Sequence, residues 1–255
     1  MELKPINPAA TVMLVRDHNE ALEVLMVKRN THGAFGNLHV FPGGKLDSED
    51  QDPALYARCH GLSDSQASDI LAIERHGLAY WVAVARECFE EVGIIMGTGN
   101  FSNGKLSHDR TLLNEGNMCF AELLEKYNIT IAAENIAYCA HWITPDVEPK
   151  RFTTRFFIAH APRDIEGWHD GSELTDSLWI APAQALKEYE AGNLNLIMPT
   201  IKNLEMLSKF SSSMAAINHF KELPVGTIET ILPKFYKENG EWVGLLPGED
   251  GYDER

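Results

Sequence analysis

Three glutamates have a spacing that is typical of a cation-binding cluster. They lie in the segment Arg86-Glu87-Cys88-Phe89-Glu90-Glu91-Val92-Gly93-Ile94. On a helix, Glu87, Glu90 and Glu91 lie three or four residues apart and project from one side. Like charges at that spacing repel by about 0.2–0.5 kcal/mol per pair on an exposed helix. Cations bound there relieve this repulsion, and carboxylate oxygens suit Mg²⁺ or Mn²⁺. The spacing therefore predicts a site for one of these ions, while a solvated acidic helix face would give the same pattern.

The sequence around these glutamates predicts the helix that would carry them, over residues 78–92. Val84, Cys88 and Val92 form an apolar stripe at a spacing of four residues. Arg86 stands four residues before Glu90 and can hold its carboxylate in place. A glycine at position 93 then ends the helix as a C-cap.

A glycine turn lies upstream of the predicted helix, in Phe41-Pro42-Gly43-Gly44. The bare backbone of Gly43 and Gly44 can approach a phosphate or offer a carbonyl to a metal ion. Two apolar, β-rich runs at residues 9–15 and 22–28 precede it, and the polar segment 16–21 between them predicts a hairpin with a longer loop.

Together these features resemble the Nudix hydrolases, whose motif reads G-x5-E-x7-R-E-U-x-E-E-x-G-U with U apolar. Gly44 matches the first glycine, and residues 86–94 match the whole second half. The sixth position after Gly44 is Asp50 instead of glutamate, and 35 residues separate it from Arg86 where the motif has seven. Asp47 or Glu49 could serve in place of Asp50.

The 28 extra residues form a predicted helical insertion at about 51–78. Pro53 suits the first turn of a helix through Cys59. Ser63 and Gln66 resemble a capping box, which predicts a second helix to about His76. The insertion could fold as a small cap over the junction between the glycine turn and the predicted helix at residues 78–92.

A wider resemblance connects the chain to the coenzyme A diphosphatase-like Nudix proteins, which carry an insertion at this place. The similar segments are His141-Trp142-Ile143-Thr144-Pro145, Pro149 to Phe157, Trp179-Ile180-Ala181-Pro182 and Leu245 to Tyr252. The resemblance implies Mg²⁺- or Mn²⁺-dependent hydrolysis of coenzyme A or acyl-coenzyme A to 3′,5′-ADP and a 4′-phosphopantetheine. Two alternatives are an ADP-ribose or NADH pyrophosphatase and a non-catalytic nucleotide-binding module.

The resemblance also implies roles for individual residues. Glu90 and Glu91 would be the principal metal ligands, Glu87 a ligand or the general base, and the Gly43 carbonyl a further ligand. Several Nudix enzymes use a distant glutamate as the base, and Glu173 is the candidate here.

The basic residues suggest where phosphates would bind. Four of them fall within 14 residues: Lys150, Arg151, Arg155 and Arg163. On a strand Arg155 points away from Phe156, toward solvent or a ligand. Arg29 comes shortly before the glycine turn. Arg29, Arg151 and Arg155 are therefore candidate substrate-binding residues with Gly43 and Gly44, because guanidinium groups suit phosphates.

Composition narrows the choice of partners. The net charge of −15 disfavours a nucleic-acid or membrane-surface binder, which needs a basic face. The four cysteines show no paired spacing, the N-terminus does not read as a signal peptide, and the longest apolar run is eight residues. We expect a cytoplasmic protein with reduced thiols and a small nucleotide-linked substrate. A homodimer is an expectation from the resemblance alone.

Strands and helices are mixed without regular βαβ alternation, which predicts one α+β domain over residues 1–255. The resemblance implies a Nudix fold, a mixed β-sheet sandwiched between helices. A C-terminal extension at about 183–255 would add helices after Pro182 and Pro199, the latter helix reaching about Phe220. A hairpin would follow around Asn239-Gly240.

Overall fold

A mixed eight-stranded sheet lies at the centre of the structure, a computed structural model that describes residues 5–29, 38–101, 103–162, 177–238 and 240–254. Its strands are β1 (Ile6–His18), β2 (Ala21–Arg29), β3 (Leu38–Val40), β4 (Gly43–Lys45), β7 (Ile136–Ile143), β8 (Arg151–His160), β9 (Ser177–Ile180) and β10 (Thr230–Ile231). The order is β10-β7-β8-β1-β2-β3, with β4 paired to β1 and β9 to β2. The β1–β8 and β7–β10 pairs are parallel, and the others are antiparallel.

Smaller elements complete the strand set. They are the pair β5 (Gly97–Thr98) and β6 (Thr130–Ile131) and the hairpin β11 (Lys234–Glu238) and β12 (Glu241–Leu245). The predicted C-terminal hairpin is confirmed. The β1–β2 hairpin is also confirmed, but its predicted longer loop is wrong. Asn19 and Glu20 have φ of 47° and 64°, a two-residue turn whose twist matches that of the strands.

The helices flank the sheet and are α1 (Pro53–Tyr56), α2 (Asp64–Leu71), α3 (Leu78–Val92), α4 (Asn103–Asn114), α5 (Phe120–Lys126), α6 (Pro182–Glu190), α7 (Met198–Leu207) and α8 (Ser213–Glu222). The prediction of α3 is confirmed at both ends. The predicted helix from Pro199 to Phe220 is wrong, since it is two helices. The chain leaves the helical conformation after Leu207, and Ser212 caps α8 by accepting from the Ala215 N–H.

Two apolar cores lie on opposite faces of the sheet. On β1, Val12 and Leu14 face α3, whereas Met13 and Val15 face the C-terminal helices. All four side chains are fully buried, because both faces of the strand are covered. The arrangement confirms the predicted α+β class and a mixed sheet between helical layers.

The insertion folds as α1 and α2, which pack against α3. The capping box of Ser63 and Gln66 is confirmed, with the Gln66 N–H donating to Ser63 Oγ at 3.3 Å. The predicted end near His76 is wrong, because Ala72 adopts a left-handed conformation (φ 52°) and stops α2 at Leu71. The four cysteines are free thiols, and within the described residues no helix is long and apolar enough to cross a membrane.

Candidate active site

The acidic segment lies on the last two turns of α3, which packs against the sheet. Trp81 and Phe89 are almost fully buried, and the Trp81 indole N–H donates to the Ile136 carbonyl at 3.0 Å. Gly93, with φ 71°, ends the helix as expected and donates to the Phe89 carbonyl. This packing leaves the three carboxylates half-buried at the β4 side of α3.

Arg86 and Asp50 form a buried ion pair at the base of the site. Arg86 Nε donates to Asp50 Oδ1 at 2.8 Å, and its Nη2 donates to Asp50 Oδ2 at 2.9 Å. Asp50 is 0% exposed. The chain therefore uses Asp50, and neither Asp47 nor Glu49, as the partner that fixes the Arg86 guanidinium by a two-point contact. Asp47 lies farther from that group, at 3.6 Å, and is largely exposed.

Arg86 also holds two of the three glutamates. Its Nη1 donates to Glu87 Oε1 at 2.9 Å and to Glu90 Oε2 at 3.0 Å. Within the described residues, the second oxygen of each of these carboxylates accepts no hydrogen bond. The guanidinium therefore positions Glu87 and Glu90 while it leaves one oxygen of each available.

The glycine turn packs directly against the carboxylates. The Gly43 N–H donates to Glu91 Oε2 at 3.0 Å. A Cβ on Gly44 would collide with the Glu87 carboxylate, and one on Gly43, whose φ is 155°, would collide with the Ala10 carbonyl. Gly44 thus leaves space for the Glu87 carboxylate of α3, and Gly43 allows β4 to lie close to β1. The structure thus brings Gly43, Gly44 and the three glutamates together.

The negative charge of the carboxylate cluster is only partly balanced by Arg86. Burial raises the pKa of Glu90 to about 7, since it outweighs the opposing effect of Arg86. Burial likewise raises the pKa of Glu87. Burial alone would lower the pKa of Arg86, but the hydrogen bonds and charge of Asp50, with Glu87 and Glu90, raise it above its ordinary value. One guanidinium does not fully compensate the carboxylates around it, so a further cation would be stabilised here.

The donor set fits a divalent ion such as Mg²⁺ or Mn²⁺. It offers hard carboxylate oxygens beside a stretch of bare backbone, the ligands that these ions prefer. Among the described residues, no group of three or more acidic, histidine or cysteine side chains is already arranged around a metal position. Glu87 and Glu90 contact Arg86 and Glu91 contacts Gly43, so an ion here would bind through the second oxygens of Glu87 and Glu90, which Arg86 leaves available.

Sequence reasoning missed the residues that cap α3. Arg110 on α4 donates to the carbonyls of Glu90 and Glu91 at 2.9 and 2.8 Å, and Asn114 donates to the Glu90 carbonyl at 3.3 Å. A cation at a helix C-terminus also complements the helix dipole. No local spacing signals this contact, because α4 reaches the helix end only through the tertiary fold.

The predicted phosphate-binding arginines lie in different surroundings. Arg151 is half-buried at the start of β8 and donates to the Thr144 carbonyl at 3.0 Å. Arg155 does not face open solvent: the residue is 6% exposed and lines a cavity beside α2. Arg29 ends β2, and its side chain is outside the described residues, as is the whole of Glu173.

Similarity to known proteins agrees with the fold and the site. A family model for the NUDT19 Nudix domain matches residues 62–207, more than half of the chain. A protein named putative nudix hydrolase 7 from Caenorhabditis elegans is 28% identical over 73% of this chain and 56% of its own length. Acyl-coenzyme A diphosphatase NUDT19 from Gallus gallus is 23% identical over 91% of this chain and 73% of its length.

Among solved structures, a NUDIX hydrolase from Alicyclobacillus acidocaldarius superposes with a TM-score of 0.67 at 24% identity, over 88% of this chain and 100% of that one. At that identity the likeness is one of fold. The chain spans a little over half of the length of the C. elegans relative, so the family assignment of the chain rests on the matched domain. With the family model and the Arg86–Glu91 cluster together, the chain belongs to the NUDT19 Nudix domain family of Nudix hydrolases.

Proposed function

We propose that this chain hydrolyses the diphosphate of coenzyme A or acyl-coenzyme A, giving 3′,5′-ADP and 4′-phosphopantetheine or its acyl derivative. The observation that carries the proposal is the carboxylate cluster of α3, fixed by Arg86 and Asp50 against the glycines of β4. The substrate class is supported by the relatives from Gallus gallus, Xenopus laevis and Homo sapiens, which are named acyl-coenzyme A diphosphatases.

The residues that we propose to hold Mg²⁺ or Mn²⁺ are Glu87, Glu90, Glu91 and the carbonyl of Gly43. A divalent ion at such a site screens the charge of a diphosphate and lowers the pKa of bound water. Both effects are needed here, because the substrate is an anion and the chain carries a net charge of −15.

The chain's own groups would then perform three tasks. Arg86 keeps the carboxylates of Glu87 and Glu90 in position. A general base, Glu87 or Glu173, accepts a proton from the attacking water, whose oxygen forms the new bond to phosphorus as the anhydride P–O bond breaks. The backbone of Gly44 and the side chains of Arg29 and Arg151 would bind substrate phosphates, since bare amides and guanidinium groups suit them.

A substrate screen tests this proposal against a second enzymatic candidate. Coenzyme A, acetyl-coenzyme A, ADP-ribose, NADH and a dinucleoside polyphosphate are each incubated with Mg²⁺ or Mn²⁺, and the products are separated by chromatography. We expect coenzyme A or its acyl ester to be cleaved fastest. Intact coenzyme A beside cleaved ADP-ribose or NADH would replace our proposal with a nucleoside diphosphate pyrophosphatase.

A single substitution separates catalysis from simple nucleotide binding. We expect Glu90→Gln to lower turnover by orders of magnitude with the fold retained, because the substitution removes the negative charge with which the carboxylate would bind Mg²⁺ or Mn²⁺. Glu222→Gln, an exposed glutamate at the end of α8, is the matched control and should leave turnover unchanged. Equal turnover in the Glu90→Gln and wild-type proteins would remove our metal-site assignment. A wild-type protein that binds nucleotides without cleaving any would favour a binding module.

A further inference from the structure

A cavity of about 510 Å³ lies between the insertion and the β7 edge of the sheet, away from the residues of the proposed active site. Leu62, Ile70 and Leu71 of the insertion form one wall, and Tyr138 of β7 forms part of another. The described lining includes none of the α3 glutamates and neither glycine of β4. The hydrolysis proposed above therefore leaves this cavity without a role.

Arg155 places a positive charge in the wall of the cavity. Its guanidinium donates to the Tyr80 hydroxyl at 2.9 Å and to the Leu71 carbonyl at 3.3 Å, and it lies 4.7 Å from the centre of the Tyr80 ring. Its Nε is buried and has no hydrogen-bond acceptor in the described structure. These contacts satisfy part of the guanidinium and hold it in one orientation.

Arg155 has no carboxylate partner within 4.0 Å among the described residues, although only 6% of its surface is exposed. Arg86, which is also buried, is by contrast surrounded by carboxylates. A buried charge is strongly unfavourable unless a counter-charge accompanies it. Within the described part of the chain, the surroundings of Arg155 therefore lack one negative charge, and the cavity has room for a molecule that supplies it.

The rest of the lining is either neutral or lies at the exposed rim. His141 is bonded through both ring nitrogens, to Thr230 at 2.8 Å and Thr153 at 2.7 Å, and burial together with the charge of Arg155 lowers its pKa to about 4. A histidine is neutral or positively charged, so it cannot balance Arg155, and with this pKa His141 adds no second positive charge at pH 7. Glu134, the acidic member of the described lining, is partly exposed and bonds to His60.

We infer that this cavity is a second binding site, for a small amphiphilic anion whose carboxylate or phosphate pairs with Arg155 and whose apolar tail lies along the insertion. Charge-assisted hydrogen bonds from the guanidinium would bind the head group. Contact with Leu62, Ile70 and Tyr138 would bury the tail. Neither part requires a metal ion.

Isothermal titration of the metal-free full chain tests the inference, with octanoate and octyl phosphate as the two probes. We expect saturable binding of at least one probe with one site per chain, and the stronger probe identifies the head group. Octanol has the tail without the charge and inorganic phosphate has the charge without the tail. Each should bind at least about tenfold more weakly.

Titrations of three variants test whether a bound probe occupies this cavity. Arg155→Met should weaken the stronger probe at least about tenfold, and Leu62→Trp, which fills the cavity from the insertion side, should do the same. Arg58→Met changes an insertion arginine that does not line the cavity and should bind as the wild type does. Circular dichroism checks the folding of each variant.

The inference is overturned if neither probe binds the wild-type protein, or if octanol or inorganic phosphate binds as tightly as the probes. Unchanged affinity in folded Leu62→Trp and Arg155→Met proteins would overturn it as well. Should Arg155→Met not fold, the four wild-type titrations and Leu62→Trp still decide. Since no titration depends on turnover, the outcome is independent of the proposed hydrolase activity.

Discussion

Removal of the Asp50 carboxylate should destabilise the protein more than removal of any acidic side chain on its surface. In Asp50→Ala the Arg86 guanidinium stays buried but loses the two bonds of 2.8 and 2.9 Å that fix it. Breaking a buried ion pair costs about 3–5 kcal/mol. Because Glu87 and Glu90 still contact Arg86, we expect the lower end of this range, about 3 kcal/mol.

In a chain of this size, a loss of about 3 kcal/mol lowers Tm by about 6–12 °C. Chemical denaturation of the metal-free protein gives the change in free energy of unfolding, and equal denaturant slopes show that both proteins unfold alike. We also expect lower turnover, because Arg86 then holds Glu87 and Glu90 less rigidly.

Asp47→Ala is the matched control for this prediction. Asp47 also faces Arg86, but at 3.6 Å and with 62% of its side chain exposed, so its removal should cost about 0–1 kcal/mol. If Asp50→Ala costs no more than Asp47→Ala, the assignment of Asp50 as the structural partner of Arg86 is wrong. The motif's glutamate position would then have no identified role in this chain.

Three further predictions test the same site. Burial raises the folded-state pKa of Glu90 to about 7, so the protonated side chain stabilises the fold fully below about pH 4.5, and this stabilisation is lost as the pH rises through about 7. The Tm of the metal-free wild type should therefore fall relative to that of Glu90→Gln between about pH 5 and 8. A Tm difference that stays constant over this range would contradict the prediction. Gly44→Ala should displace the Glu87 carboxylate and lower kcat at least about tenfold, and wild-type kinetics would refute the close packing. Arg110→Ala should cost about 1–2 kcal/mol in chemical denaturation, because the carbonyls of Glu90 and Glu91 each lose the bond from Arg110 and the Glu90 carbonyl keeps the bond from Asn114; unaltered stability would exclude that capping role.

Local patterns predicted those elements whose ends are marked by local chemistry. The bounds of α3 follow from its apolar stripe and from Gly93, and the start of α2 follows from the Ser63 capping box. The end of α2 could not be predicted in the same way, since Ala72 is not a residue type that favours a left-handed conformation. The break between α7 and α8 had a signal in the serines at 211–213, because serine favours N-caps.

The candidate site likewise contains residues that local spacing predicted and contacts that only the tertiary fold creates. The glutamates and Arg86 are contiguous on one helix, so their spacing alone placed them on one side. The contacts that come from elsewhere were beyond such reasoning: α4, which carries Arg110, is largely polar and gave no periodic signal. Whether Arg155 met solvent or a ligand was likewise open, since strand alternation states which face a side chain takes but not what covers that face.

The position of the insertion explains how the chain keeps the site despite 28 extra residues inside the motif. The added segment leaves the core after Asp50 and returns at Gly77, and the Arg86–Asp50 ion pair joins the two sides of this excursion. Loop-closure entropy rises only slowly with loop length, so one buried ion pair with the packing of α1 and α2 on α3 can offset it. Asp50 thus has a structural role instead of a metal-binding one: it anchors the chain before the insertion to the helix after it.

The insertion also places α2 over β7 and β8, where α2 forms a wall of the Arg155 cavity. An insertion that served only as a spacer would not need to bury an arginine for which the described residues provide no counter-charge, and this favours a binding role for the cavity.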